Sequence, residues 1–279
     1  MPSSQPQSVI VIGGGMVGLL AARLLSTQQI PVTVIEANKP HLRWTKTDKD
    51  ARVSAVNLAS KNVLEKVSAW ELLSDSAFTP LREMIVWDGA GGGEIHFDSA
   101  DIGEPELGYI VENREIIRVL WQQCEADERI TLLCPSTPHK ISSEKDFVTL
   151  TLENNKTISA SAIIGADGGH SWVRSQMDAG VIERSYYQQA IVAVVKTEIA
   201  HHHIAYQNFL STGPIGLLPL ADPYQMAVVW SCETEKAEAL LALDDIEFNL
   251  EMTNALQMRL GELTLLNKPK AIPLVMRHA

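Results

Sequence analysis

Six residues near the N-terminus, Gly13-Gly14-Gly15-Met16-Val17-Gly18, carry the spacing G-x-G-x-x-G. Their chemistry would be the holding of a pyrophosphate. Gly13 allows a tight turn, Gly15 lets the backbone approach the anion, and Gly18 lets a following helix pack closely on the preceding strand. The free N–H groups and the dipole at that helix's N-terminus then face the phosphates. Glu36 stands close to the roughly 20-residue offset at which an acid accepts hydrogen bonds from a ribose diol. A carboxylate there repels a 2′-phosphate, so the nucleotide is an unphosphorylated adenosine, as in FAD or NAD. A second constellation lies at Gly165-Ala166-Asp167-Gly168-Gly169-His170-Ser171-Trp172-Val173-Arg174. There Gly168 and Gly169 permit close backbone approach to a ligand, and Ser171 or Arg174 can add donors.

These residues need elements to position them. Residues 9–12 are an apolar, β-branched run, the composition of a strand covered on both faces in a parallel sheet. Val17, Leu20, Ala21, Leu24 and Leu25 follow at helical spacing, and residues 32–35 form a second strand ending at Glu36. A lone G-x-G-x-x-G is a weak signal; strand, glycines, helix, strand and acid in that order are specific for dinucleotide binding. Residues 148–152 alternate and Asn154-Asn155-Lys156 is turn chemistry, predicting a hairpin that feeds a buried strand at Ile163-Ile164. Asp167 then sits at a second strand-to-helix turn. Residues 81–88 and 94–97 read as strands joined by the loop at 89–93, a hairpin connection rather than a phosphate site. Residues 190–197, 205–210, 215–220 and 225–231 are strand-like, while 235–243 and 245–260 have helical periodicity. The stripe Phe248, Met252, Leu256 and Leu260 reads as core rather than a membrane foot.

Asp167-Gly168-x-x-Ser171-x-x-Arg174 resembles the "DG" fingerprint of the flavoprotein aromatic hydroxylases that share the para-hydroxybenzoate hydroxylase fold. Arg52-Val53-Ser54-Ala55 resembles the arginine segment beside the cofactor in that family. Met84-Ile85-Val86-Trp87-Asp88 and Ile110-Val111-Glu112-Asn113 look like the ubiquinone-biosynthesis hydroxylases in particular. The resemblance runs over essentially the whole chain. It implies an α/β fold, a Rossmann-like FAD-binding domain with a β-sheet-plus-helix substrate domain. The implied division is 1–75 and 105–182 for FAD, 76–104 and 183–279 for substrate. Gly13, Gly15, Gly18 and Glu36 would hold the ADP half of FAD. Arg52 would contact the cofactor or entering nicotinamide nucleotide, Asn113 would match a polar FAD-contacting position of the family, and Asp167 would serve FAD and NAD(P)H. From the residues alone, a surface ion pair for Arg52 and a helix N-cap for Asn113 stand as the lesser readings. NAD(P)H and O₂ are the implied co-substrates and a polyprenyl phenol or quinol the implied substrate; other ubiquinone-biosynthesis proteins are implied partners. Because the cofactor carries the hard chemistry, no catalytic side chain is assigned. The family continues beyond Pro273-Leu274-Val275-Met276-Arg277-His278-Ala279 with a Gly-Asp segment over the FAD ribityl chain. On that basis, weak or absent FAD binding and inactivity are expected of the sequence as it stands.

Composition sets further bounds. The chain of 279 residues is 46% hydrophobic with net charge -11. It lacks the basic field that would hold nucleic acid, which is excluded as a partner. Cys124, Cys134 and Cys232 read as buried thiols of a reducing cytoplasm. Residues 1–8 are polar and lack a secretory signal, and no apolar run reaches the length of a membrane span, so contact with a membrane would be at its surface. His201-His202-His203 reads as an exposed turn, because consecutive histidines point apart and metal sites need spaced ligands. No metal is expected. Two other readings stand beside the hydroxylase: an NAD-dependent dehydrogenase, and a non-catalytic scaffold of a ubiquinone-biosynthesis complex.

Overall fold

β-Branched runs at 9–12 and 32–35 become strands where both faces can be covered, and the remaining elements supply the cover. The computed structural model describes residues 8–45, 48, 50, 52–177 and 179–278. The polar stretch expected at 1–8 lies outside them except for Ser8, as does Ala279. The chain begins with β1 (Val9–Ile12), α1 (Met16–Thr27), β2 (Val32–Ile35), β3 (Val53–Asn57) and α2 (Leu58–Lys66). Next come β4 (Phe78–Leu81), β5 (Glu83–Asp88), β6 (Glu94–Asp98), β7 (Gly108–Glu112), α3 (Asn113–Ala126) and β8 (Ile130–Leu133). These lead to β9 (Pro138–Ser143), β10 (Val148–Leu152), β11 (Thr157–Ala160), β12 (Ala162–Gly165) and the short α4 (Trp172–Gln176). The last stretch holds β13 (Ile182–Thr197), β14 (Ile204–Leu210), β15 (Gly213–Pro219), β16 (Gln225–Glu233), α5 (Thr234–Leu241), α6 (Asp245–Ala255), β17 (Leu263–Leu265) and β18 (Lys270–His278).

Strands β12, β1, β2 and β8 pair in that order, all parallel. On one face, Val11, Val32 and Val34 pack with Leu19 and Ala22 of α1 and with Val119, Leu120 and Cys124 of α3. On the other, Ile10, Ile12 and Ile35 meet Leu150, Leu152 and Ala160 of the antiparallel β9–β10–β11 meander. A second, eight-stranded sheet runs β17-β13-β16-β15-β14-β5-β6, with β18 also on β13. One of its faces is closed by α5 and α6 around Trp87, Trp230, Phe248, Met252, Leu256 and Leu260. Phe248 and Met252 on α6, with Leu256 and Leu260 just beyond its end, are therefore core, as expected. β3, β7 and β4 form a small third sheet.

Three expectations are corrected. The buried line of α1 is Gly18, Leu19, Ala22 and Ser26; Leu20, Ala21, Leu24 and Leu25 are only partly buried, and Val17 is 71% exposed. Close approach to the strand selects the smallest side chains, and the leucines flank it. β12 is not fully buried, because it is an edge strand paired only with β1. The histidine turn is real, but His201 is 2% exposed. Its Nδ1 accepts the His203 N–H at 3.0 Å, and its Nε2 lies 2.9 Å from the Leu220 carbonyl and 3.1 Å from that of Asp222. That geometry requires the neutral ring with its proton on Nε2, which braces the loop before β16.

Candidate functional site

The β1–α1 turn is built by clearance. Gly13 has φ +111°, and a Cβ there would stand 2.3 Å from the Ala166 carbonyl oxygen. A Cβ on Gly18 would stand 1.9 Å from the Gly13 oxygen. Strand end, turn, helix and the loop carrying Asp167 are thus in backbone contact. Gly15 differs, since its Cβ would meet nothing within 4 Å. It is the N-cap of α1, with no side-chain cap and no acidic residue in the first turn. The first-turn N–H groups, which have no intrahelical partners, therefore surround an open surface suited to an anion.

Glu36 stands over this turn. The Gly14 N–H donates to Oε2 at 2.6 Å and the Asn38 N–H to Oε1 at 2.9 Å. Two backbone bonds fix the carboxylate and leave lone pairs for ribose hydroxyls. The Asp167 loop is tied to β1 by the Ala166 N–H, which donates to the Ile12 carbonyl at 2.7 Å. Asp167 Oδ2 accepts the Val173 N–H at 3.1 Å, while Oδ1 is buried without a partner. An orphaned buried acceptor costs about 1–3 kcal/mol, which a ligand hydroxyl would recover. The open Gly15 surface and this unpartnered oxygen fit a dinucleotide cofactor. Ser171 and Arg174 also bond within their own loop, and these bonds leave the Ser171 O–H and the other guanidinium N–H groups as donors. The Ser171 hydroxyl accepts the Arg174 N–H at 3.1 Å, and the Arg174 guanidinium donates to the Gly169 carbonyl at 2.7 Å.

Arg52 and Asn113 form a separate pair. The Asn113 N–H donates to the Arg52 carbonyl at 3.1 Å, and Asn113 Oδ1 accepts from the Ser54 hydroxyl at 2.7 Å. Asn113 is the first residue inside α3, whose N-cap is Glu112, so it is not the cap itself. The Arg52 side chain is 71% exposed, 3.7 Å from Asp50, and lines a cavity of 180 Å³ with Val192 and Lys270. Among the described residues, no hydrogen bond joins this pair to the glycine turn or Asp167.

A larger cavity of 370 Å³ lies between the start of α3 and the eight-stranded sheet, lined by residues including Asp50, Glu112, Arg114, Val194 and Gln225. Arg114 is the residue the sequence reading missed. Its Nε donates to Glu112 Oε2 at 2.7 Å, its Nη2 to the Asp48 carbonyl at 2.7 Å, and its guanidinium lies 4.5 Å from the Trp44 ring centre. Burial pushes the Glu112 carboxyl up, against the pull of Arg114. A cation in a helix's first turn opposes the dipole, and that misfit was the available signal.

A parallel βαβ unit with a glycine turn, a fixed ribose-type carboxylate and, on the adjoining loop, an aspartate with one buried oxygen unpartnered define a dinucleotide-binding protein. The chain matches the FAD binding domain family over residues 7–272. It is 31% identical to the 3-demethoxyubiquinol 3-hydroxylase of Escherichia coli over 277 residues, 99% of this chain and 70% of that protein. It is 32% identical over 255 residues to the human mitochondrial ubiquinone biosynthesis monooxygenase COQ6, covering 86% of this chain and 54% of that one. Among solved structures, PqsL of Pseudomonas aeruginosa superposes with TM-score 0.77 at 18% identity, over 96% of this chain and 73% of that one. HpxO of Klebsiella pneumoniae, in a complex with FAD, superposes with TM-score 0.68 at 17% identity, over 96% and 69%. This chain belongs to the FAD-dependent monooxygenase family, and its cofactor is FAD. The expected α/β fold is borne out, and an NAD-dependent dehydrogenase is not favoured.

Proposed function

We propose that this chain carries the cofactor turn and substrate sheet of a monooxygenase that hydroxylates the ring of a polyprenylated ubiquinol precursor. The carrying observation is the contact of the glycine turn with the Asp167 loop beneath Glu36. Gly13, Gly15 and Gly18 would shape the pyrophosphate seat, Glu36 would accept from the ribose, and Asp167 Oδ1 would accept from a cofactor hydroxyl. Arg52 and Asn113 would act further along the cofactor, on the cavity side facing the eight-stranded sheet. Reduced by NAD(P)H, FAD supplies the oxygen-transfer chemistry when bound. One atom of O₂ enters the ring C–H bond as hydroxyl and the other leaves as water.

The side chains themselves bind, orient and shield. Val192 and Val194 would give the ring an apolar patch within cavities otherwise lined largely by charged and polar side chains, and Arg114, held by Glu112 and Trp44, would keep the α3 end of the larger cavity in place. The proposed division assigns 1–75 and 105–182 to cofactor and 76–104 and 183–279 to substrate, supported by the separate parallel and eight-stranded sheets. A cytoplasmic setting, with substrate collected at a membrane surface, belongs to the same proposal; three free cysteines suit its reducing side, and among the described residues no helix is long and apolar enough to cross a membrane. The test is an FAD titration of this chain and of one continued to the length of its relatives, followed by quinol-dependent NAD(P)H oxidation. Binding in neither form sinks the proposal.

A further inference from the structure

Directly paired residues present their side chains to the same face of a sheet. The register of the eight-stranded sheet puts Trp87, Asn208, Ile215, Trp230 and Ile191 in one row. That row lies on the face that α5 and α6 cover. Trp87, Asn208 and Trp230 carry polar atoms into this apolar interior, each of them at most 4% exposed. Trp87 Nε1, Asn208 Oδ1 and Trp230 Nε1 have no hydrogen-bond partner. Buried polar groups are paired in the great majority of cases, so orphans gathered in one row call for a partner from outside the chain.

A cavity of 280 Å³ opens beside this row. It lies across the sheet from Val192 and Val194, which alternate with Ile191 along β13. Its wall includes Trp230 itself, Ala90 and Leu210, with Lys236 of α5 and Glu251 of α6. Asn208 stands behind the same wall, against two further lining residues, Gly89 and Ala255. Its Nδ2 donates to the Ala255 carbonyl at 2.7 Å, and a Cβ on Gly89 would stand 2.8 Å from its Oδ1. Lys236 Nζ lies 3.3 Å from Glu251 Oε2, and both side chains are partly exposed. Such a surface pair is a weak link that a ligand can open.

We infer that this cavity is a second ligand site, for a small zwitterion of the α-amino-acid class. The Trp230 N–H and the Lys236 ammonium are donors that suit a carboxylate, while Asn208 Oδ1 and the Glu251 carboxylate are acceptors that suit an ammonium. A simple anion would meet Glu251, and a simple cation would meet Lys236, each in a like-charge contact. A zwitterion satisfies both sets at once. Ala90, Leu210 and the Trp230 ring give its hydrocarbon side chain an apolar lining. The volume falls just below the roughly 300–1,000 Å³ of pockets for drug-sized ligands, which suits a molecule of amino-acid size.

The experiment is a calorimetric titration of the protein with L-leucine, with 4-methylpentanoate, which lacks the ammonium, and with 3-methylbutylamine, which lacks the carboxylate. L-Leucine is expected to bind saturably, and each analogue at least about tenfold more weakly. Trp230→Phe keeps an aromatic ring and removes the N–H. Lys236→Gln changes a partly exposed position on α5 and keeps the test decisive should the core variant misfold. Each variant is expected to weaken L-leucine binding by about tenfold, and Lys236→Gln to melt at the wild-type temperature without ligand. Absence of saturable L-leucine binding, equal binding of the three probes, or unaltered affinity in the folded variants overturns the site.

Discussion

Gly15 and Gly18 belong to one motif, yet a side chain added at each meets different surroundings. At Gly18 a methyl group collides with the Gly13 carbonyl, and overpacking of this kind costs about 1–3 kcal/mol. Gly18→Ala is expected to lower the melting temperature and FAD affinity together. Gly15→Asp places a favoured N-cap residue at the helix start with a charge that suits the dipole. Stability is therefore expected to hold or rise, while repulsion of the pyrophosphate weakens FAD binding at least about a hundredfold, ~2.7 kcal/mol. Thermal melts beside flavin-fluorescence titrations separate the two effects, and unaltered FAD binding by Gly15→Asp would remove the turn from the cofactor site. The motif was legible residue by residue because its glycines act locally. The unfilled acceptor position of Asp167 Oδ1 was not, since it depends on what the fold brings around it.

Among the elements, the loop braced by His201 carries a pH dependence. Burial pushes the imidazole below its usual value, against the pull of the Leu220 and Asp222 carbonyls, and His202 and His203 nearby lower it further. The unfolded ring binds a proton near pH 6.5, so below that value the unfolded state holds more protons than the folded one. The loop's contribution is full above about pH 6.5 and is lost as pH falls through the depressed folded value. Urea melts between pH 7.5 and 5 are expected to show this loss, and His201→Gln is expected to flatten it. Glu115 acts lower on the scale. Burial pushes it up, but bonds from Arg118 and Ser74 outweigh burial and hold it down. On α6, Met252→Ala empties a fully buried site and is expected to cost about 2–5 kcal/mol in denaturant melts. A loss under ~1 kcal/mol would place that helix outside the core. Period 3.6 announced this stripe, whereas the α1 face was misjudged because strand contact favoured small residues over leucines.

For the whole molecule, FAD binding couples to folding. A ligand held only by the folded state stabilises it by about 2.7 kcal/mol at a hundred times its dissociation constant. In the chain continued to the length of its relatives, the melting temperature is expected to rise with FAD, and NAD in its place to give a smaller rise; the reverse order would contradict the family's cofactor. Both sheets contribute to this coupling only insofar as the cavities between α3 and the large sheet take part. Variants at Arg114, on that boundary, test the coupling through the same melts.

The sequence by itself determined the βαβ unit, the order of its motifs and a dinucleotide as ligand, because each rests on short-range spacing: glycine clearance, strand alternation, helix period; FAD rather than NAD came from the family resemblance. Tertiary structure decided what those spacings cannot carry. It set Gly13 against Ala166 across more than half the chain, made β12 an edge, buried His201 against carbonyls from the far side of a loop, and placed Arg114 on a cavity wall. It also aligned Trp87, Asn208 and Trp230, which are far apart in sequence, in one row, since strand register alone determines which side chains share a face.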